Sequence, residues 1–405
     1  MEIGINLSGE LLGNDSYRDP HLQHQAIQRD LRMIKQADKY GLKYAFMPEH
    51  HTLTQYSHLS ASEMLIAYAL AQTERIHVGS GIWPLNPATN HPVRVAERVA
   101  MIDHLSNGRF EFGTGRGAGS WELGTFGLDP AETKEIWEEV IWEFTKMWDS
   151  DDPRMGSGTP YSHDGPAFRT PPRNILPKPY GGAKTHPPIW SAVANIPTFQ
   201  KAASHGIGVL GFGLLGKDRK ALAPYVAAYK ETIADAEPVG RYVNDNFCIV
   251  AITFCAEDSK DAREGLLRSQ VSYFSSLTYL YHDSFPIPET AARWPEQNPE
   301  PTEGDIDAMT SSGALMCGSP EEVIAQAAEY EAVGVDTLLI SIPSGPIDVA
   351  LNTIKVVGEK VAPHFDSDPI HRTDRARYGN RAEAIVADRT LAAMAFDSSS
   401  PSIRS

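Results

Sequence analysis

Cysteine is scarce. The three in 405 residues are too few for a disulfide framework, so a reducing compartment is expected. Cys248 and Cys255 share an apolar segment at odd spacing, which in one straight strand turns their side chains to opposite faces, as packing thiols. Positive charge is also in short supply: 36 Lys and Arg against 52 Asp and Glu leave a net charge of −16. That balance argues against nucleic acid or an anionic membrane surface as the main partner. No apolar run approaches the roughly 20 residues needed to span a bilayer. Met1 to Leu7 has neither the basic start nor the long apolar stretch of a secretory signal. The expected location is the cytoplasm, with no membrane partner. His-Glu-x-x-His and paired Cys-x-x-Cys are absent, so no metal site is expected.

What is present is an ordinary globular composition, 41% hydrophobic and 22% charged, arranged as short β-like runs alternating with longer helical stretches. That rhythm means βα units and a parallel sheet. The strands are expected at Ile3 to Leu7, Leu42 to Met47, Ile76 to Gly81, Arg109 to Thr114, Pro188 to Val193, Ile207 to Gly211, Phe247 to Phe254 and Thr337 to Ser341. Expected helices include Gln25 to Lys39, Glu132 to Trp148, Lys217 to Ala234 and Ser259 to Tyr281. Ser319-Pro320-Glu321-Glu322 carries a Ser cap, Pro at the first helical position and Glu at the third, the capping-box pattern.

Eight such units favour a closed (β/α)8 TIM-type barrel over an open doubly wound sheet. Its insertions follow strands four (149–187) and seven (285–305), the latter a Pro-rich acidic stretch read as a mobile surface loop. The barrel domain is expected over 1–365. Residues 366–405 form a C-terminal extension, partly disordered, with one helix near Arg381 to Met394.

In a barrel the chemistry sits at the C-terminal ends of strands. Those ends hold Pro48-Glu49-His50-His51, Gly81-Ile82-Trp83-Pro84, the glycine-rich Gly113 to Gly119, and Ser191 to Thr198. By residue type alone the two histidines are either loop residues or site residues, while His21 and His24 suit a solvated helix start. The glycine-rich turn is either a flexible connector or a backbone approach to a phosphate with Arg116 beside it. It is not a dinucleotide fingerprint, since no amphipathic helix opens directly after it. Trp83, Trp121, Phe126 and Phe212 either line an apolar pocket or pack as core and lid.

Taken in order, Pro-Glu-His-His at 48–51, Val-Gly-Ser-Gly-Ile-Trp at 78–83, Asn90 to Glu97, Asn107 to Gly117, Gly318 to Val323 and Ala332 to Asp336 resemble the bacterial luciferase-like flavin-dependent monooxygenases. The resemblance spans about residues 1 to 362 and implies the same barrel. It implies a two-component enzyme that takes reduced FMN from a separate NAD(P)H:flavin reductase, adds O2 to form a flavin C4a-peroxide, and oxygenates a small apolar organic substrate. A homo-oligomer, dimer or tetramer, goes with it.

By resemblance His50 is the catalytic histidine, with a proton affinity suited to acid–base work near neutral pH. His51 is expected to point elsewhere. Gly115, Arg116 and Gly117 match the phosphate-binding turn, which Asn195 and Thr198 complete, and Gly81-Ile82 matches a non-proline cis peptide under the flavin ring. Gly115 stands where bacterial luciferase has a reactive cysteine, the second phosphate-side arginine falls near Gly124, and Asn195 replaces a hydroxyl. These departures point away from light emission. Two alternatives remain: a deazaflavin-dependent oxidoreductase transferring hydride, and a non-catalytic flavin-binding barrel.

Overall fold

The computed structural model describes residues 1–405 except 12, 14, 15, 118, 153, 155–157, 183, 213–218, 284–288, 290, 344 and 390–405. Eight parallel strands form the barrel: β1 (Glu2–Asn6), β2 (Tyr44–Met47), β3 (His77–Ser80), β4 (Phe110–Gly115), β5 (Ile189–Ala192), β6 (Gly208–Phe212), β7 (Phe247–Cys255) and β8 (Thr337–Ser341). Each pairs with the next in chain order, and β8 closes the ring on β1 from Glu2 opposite Thr337 to Asn6 opposite Ser341. All eight lie at the expected places. Two-residue periodicity then sends alternate side chains inward.

The interior holds Tyr44, Phe46, Trp190, Leu210, Cys248, Val250 and Leu339, with Ile82 against them. The other face of each strand, including Ile3, Ile5, Ala45, Val78, Phe110, Phe112 and Ile249, packs under the helices in the larger cluster. Cys248 lies in the inner cluster and Cys255 in the outer, as their odd spacing requires. Large inward rings need gaps opposite, which Gly79 supplies for Phe46 and Gly208 for Trp190. A Cβ on Gly113 would come within 1.8 Å of the Ser80 carbonyl oxygen.

Two expected helices are each broken in two, Thr133–Ile141 with Phe144–Asp149 and Ser259–Leu267 with Val271–Tyr281. The second break has a tertiary cause. The Glu300 carboxylate accepts the Ser272 and Tyr273 backbone N–H groups, both at 2.9 Å, and so starts a new helix. Trp294 packs edge-on against Tyr273 at 5.3 Å, so the described part of the acidic 285–305 stretch is tied to the barrel rather than free of it. Residues 285–288 and 290 of that stretch lie outside the described residues.

The expected Lys217 to Ala234 helix is a 3-10 turn, Arg219–Leu222, followed by Ala223–Ile233, with 217 and 218 outside the described residues. The Ser319 and Glu322 capping box forms as read. The stretch after strand four contains an antiparallel hairpin, Tyr161–Asp164 with Arg169–Arg173.

The C-terminal extension departs most from expectation. Its helices are Arg372–Tyr378 and 382–389, the first wholly upstream of the expected one, and 390–394 lie outside the described residues. Arg377 donates to both Asp103 carboxylate oxygens at 2.8 and 2.6 Å, with neither side chain exposed. These charges are paired inside, a partnership invisible along the chain. No helix among the described residues is long and apolar enough to cross a membrane.

Gly113→Ala should destabilise the fold by roughly 1–3 kcal/mol or more, the range for overpacking, because backbone oxygen cannot rotate away. Urea denaturation read by circular dichroism would register it as a lower midpoint.

Candidate active site

A cavity of about 880 Å³ opens at the C-terminal ends of the strands, within the range of cofactor and ligand sites. Every expected site residue lines it: His50, Gly81, Ile82, Gly115, Arg116, Gly117, Asn195 and Thr198. The Gly81-Ile82 peptide is cis. Gly115 is pressed against Ile82, whose Cδ1 would stand 2.6 Å from a Cβ there, so any side chain at this position has to displace the tip of Ile82.

One end of the cavity is cationic. Arg116 reaches across to the Thr133 hydroxyl at 3.2 Å, and Lys134 and Lys201 line the same cavity. The helix Ile196–Ser204 begins there, capped by Asn195 and Thr198 bonding each other's backbone. A helix N-terminus with flanking cations is suited to an anion. Glu138 accepts Lys201 at 2.9 Å and His205 at 2.9 Å. Against the upward push of partial burial, these two contacts hold the Glu138 carboxyl below its usual value.

The other end is a histidine cluster. His50 is 8% exposed, and its Nδ1 stands 3.1 Å from both oxygens of Glu122. Glu122 also accepts the His51 backbone N–H at 2.6 Å. With Nδ1–H donated to a carboxylate, Nε2 is the free position of the His50 ring. The Tyr56 and His282 rings each meet His50 edge-on at 5.2 Å. Burial, and then the facing His50, push the His282 imidazole down to about 3.

His51 does turn from Glu122, its Nε2 lying 2.9 Å from Glu49, but its ring meets Phe126 and it still lines the cavity. The hydrogen bond to Glu49 raises its proton affinity, against partial burial.

Of the four aromatics read as pocket or packing, Phe126 lines the cavity, Trp83 is fully buried core bonded to Ser62, and Trp121 is 65% exposed. The Phe212 side chain lies outside the described residues. A short helix, Ser120–Thr125, does open directly after the glycine-rich turn, and it carries Glu122. Glu122, Tyr56, His282, Lys134 and Lys201 were not singled out from the sequence. Lys134, Trp137 and Glu138 had a signal, since their i, i+3, i+4 spacing shares one helix face. Glu122, Tyr56 and His282 had none, being joined only by the fold. His21 and His24 are exposed, as expected.

The model of the luciferase-like monooxygenase family matches residues 1–337. The chain belongs to that family. Limonene 1,2-monooxygenase of Rhodococcus erythropolis is 25% identical over 360 residues, spanning 85% of this chain and 82% of that protein. The oxygenase component of the flavin-dependent trigonelline monooxygenase of Acinetobacter baylyi is 24% identical, over 81% of this chain and 86% of that one.

Among solved structures, the oxygenating constituent of 3,6-diketocamphane monooxygenase from Pseudomonas putida, in complex with FMN, superposes with a TM-score of 0.69. It has 18% identity and covers 91% of this chain and 99% of that one. A coenzyme F420-dependent tetrahydromethanopterin reductase from Methanopyrus kandleri shares the fold at a TM-score of 0.60 and 20% identity, over 90% of this chain and all of that one. The barrel is therefore that of luciferase-like monooxygenases, and relatives in sequence are flavin-dependent monooxygenases.

His282 and His186, the latter pushed down to about 4 by burial, stay neutral when folded but take up protons when unfolded. Stability from such groups is present above an imidazole's ordinary value and is lost as pH falls towards the folded one. At pH 5 each should cost about 2 kcal/mol relative to pH 7. Urea midpoints across that interval should fall, and His282→Phe should recover part of the loss.

Proposed function

We propose that this chain is the oxygenase half of a two-component, FMN-dependent monooxygenase, taking reduced FMN from a separate NAD(P)H:flavin reductase and using O2 to oxygenate a small organic substrate. The observation that carries the reading is one cavity with an anion-ready end and a carboxylate-held histidine at the other end. The residues fit the cofactor. Arg116, Lys134, Lys201 and the N-terminus of helix Ile196–Ser204 would take the phosphate, and Gly115 leaves the cavity wall bare beside Ile82. Reduced flavin, when bound, supplies the electrons that activate oxygen.

The chain's own work is positioning, water exclusion and proton control. His50 would give or accept a proton at Nε2, with Glu122 holding the ring and its tautomer. Leu7, Tyr56, Leu123, Phe126, Trp137 and Phe274 give the cavity an apolar lining, which favours an apolar substrate. The exposed Met64, Tyr68, Met101 and Leu105, on the neighbouring helices Ser62–Leu70 and Pro92–Leu105, support a homo-oligomer.

Two measurements test this. Arg116→Ala should weaken reduced FMN by roughly 1.5–3 kcal/mol, the scale of a hydrogen bond to a charged group, and should leave riboflavin almost unaffected. Equal losses for both would remove Arg116 from the phosphate end. His50→Ala should keep FMN affinity and lose coupled oxygenation by about 100-fold or more, with hydrogen peroxide appearing in place of product in single-turnover mixing over a panel of aldehydes, ketones and terpenoids. Wild-type coupling in that variant would make His50 structural. Substrate turnover without oxygen consumption, using a reduced deazaflavin, would transfer the enzyme to the hydride-transfer branch of the fold.

A further inference from the structure

The barrel's opposite mouth carries a second cluster of ionisable groups, completed by residues beyond the matched family region. His77 on β3 is 1% exposed. Its Nδ1 is 2.7 Å from Glu111 Oε1 on β4, and its Nε2 faces Asp374 Oδ2 across 3.3 Å, an ion-pair distance without good hydrogen-bond alignment. Asp374 belongs to helix Arg372–Tyr378 and takes both arms of Arg389, at 2.9 and 3.0 Å. His371 stacks on His77 with ring centres 3.8 Å apart and planes 12° apart, and its Nε2–H donates to the Lys43 carbonyl at 2.9 Å.

Two histidines and an aspartate invite a metal, the more so because each ring has its other nitrogen engaged, as the ligands of metal centres do. The geometry refuses one. A metal lies near the plane of each ligating imidazole, and two stacked, nearly parallel rings have no such shared point between their nitrogens. Both Asp374 oxygens are already committed to Arg389. A proton, by contrast, balances the charges: imidazolium and guanidinium against the Glu111 and Asp374 carboxylates.

We propose that His77 is an imidazolium latch that docks residues 371–389 onto the N-terminal mouth of the barrel, making that docking dependent on pH from both sides. The groups facing His77 are Glu111 from β4, Asp374 and Thr373 from the docked helix, His371, and the edge of Tyr44 from β2; Arg389 stands behind Asp374, and Lys43 and Glu2 lie beyond Tyr44. Against the downward push of burial, Asp374 and Glu111 hold His77 above its usual value. Burial and the cation beside it hold His371 well below.

The signs follow. A raised group stabilises docking below its ordinary value, and the contribution is lost as pH rises through the folded one. A lowered histidine destabilises as pH falls through the ordinary range, because a second cation would enter the stack. Docking is strongest between the two limbs.

The test is hydrogen exchange on the full-length protein from about pH 5 to about pH 10, with rates corrected for their intrinsic pH dependence and circular dichroism confirming the barrel. Protection over 371–389, relative to β1 and β8, should pass through a maximum and fall by up to about tenfold per pH unit along each limb. His77→Gln should abolish the alkaline fall and leave the acid one, and His371→Gln the reverse. Should either variant fail to fold, the wild-type profile decides. A flat profile with an intact barrel overturns the latch. So does a stoichiometric divalent metal in the purified protein whose removal by chelator lowers protection, since that assigns the cluster to a metal.

Discussion

The hydrogen-bonded return of β8 onto β1 is the constraint from which the rest follows. Once eight parallel strands close into a ring, every second residue must face one shared interior, and that interior is small. Phe46, Trp190 and Tyr44 fit in it only because Gly79, Gly208 and Gly4 stand beside them, where a Cβ would come within 2.5 to 2.8 Å of each side chain. The same parity carries upward. Beyond the filled layers Asn6, Gly81, Gly115 and Ala192 still face inward, and with small side chains they leave the cavity open.

Closure also gives the barrel two mouths, and each is organised by a carboxylate on a histidine. At the strand C-termini Glu122 holds His50 and the backbone beside it. At the strand N-termini Glu111 and Asp374 hold His77. The two pairs differ in what covers them. His50 meets a solvent-reachable cavity, where a proton can be exchanged with a ligand, whereas His77 is sealed under the C-terminal helices, where the proton has a structural use. Glu111 also accepts the Trp190 indole at 2.7 Å, and the residue after Trp190, Ser191, lines the cavity. The sealed mouth is thus one side chain removed from the floor of the open one.

The acidic character of the chain is spent unevenly. Glu2, Glu111, Asp103 and Asp374 lie buried, paired with Lys43, His77, Arg377 and again His77, all distant in sequence. Removing one partner of such a pair strands a charge in a poor solvent for it, which makes these contacts specific as well as costly to break. Asp103 with Arg377 and His77 with Asp374 tie the extension to the barrel. Among the described residues the extension's own hydrophobic cluster is Ile370, Tyr378 and Ala382, with Ile385 and Val386 against it.

Eight strands, their order and the capped helix at Ser319 were legible from residue order because hydrophobic period, caps and turn residues are local quantities, set within about a dozen neighbours. The strand-end motifs were legible too, since a barrel fixes which end of a strand meets the ligand, and His50, Arg116 and Asn195 do share one cavity. Glu122 on His50, Glu300 starting a new helix, and Arg377 on Asp103 were not legible. Each is a contact between residues 27 to 274 positions apart, and no local pattern encodes which distant charge a carboxylate will meet. The extension shows the difference most plainly: nothing along the chain marks Arg377 as the partner of Asp103, and only burial against the barrel brings the two together.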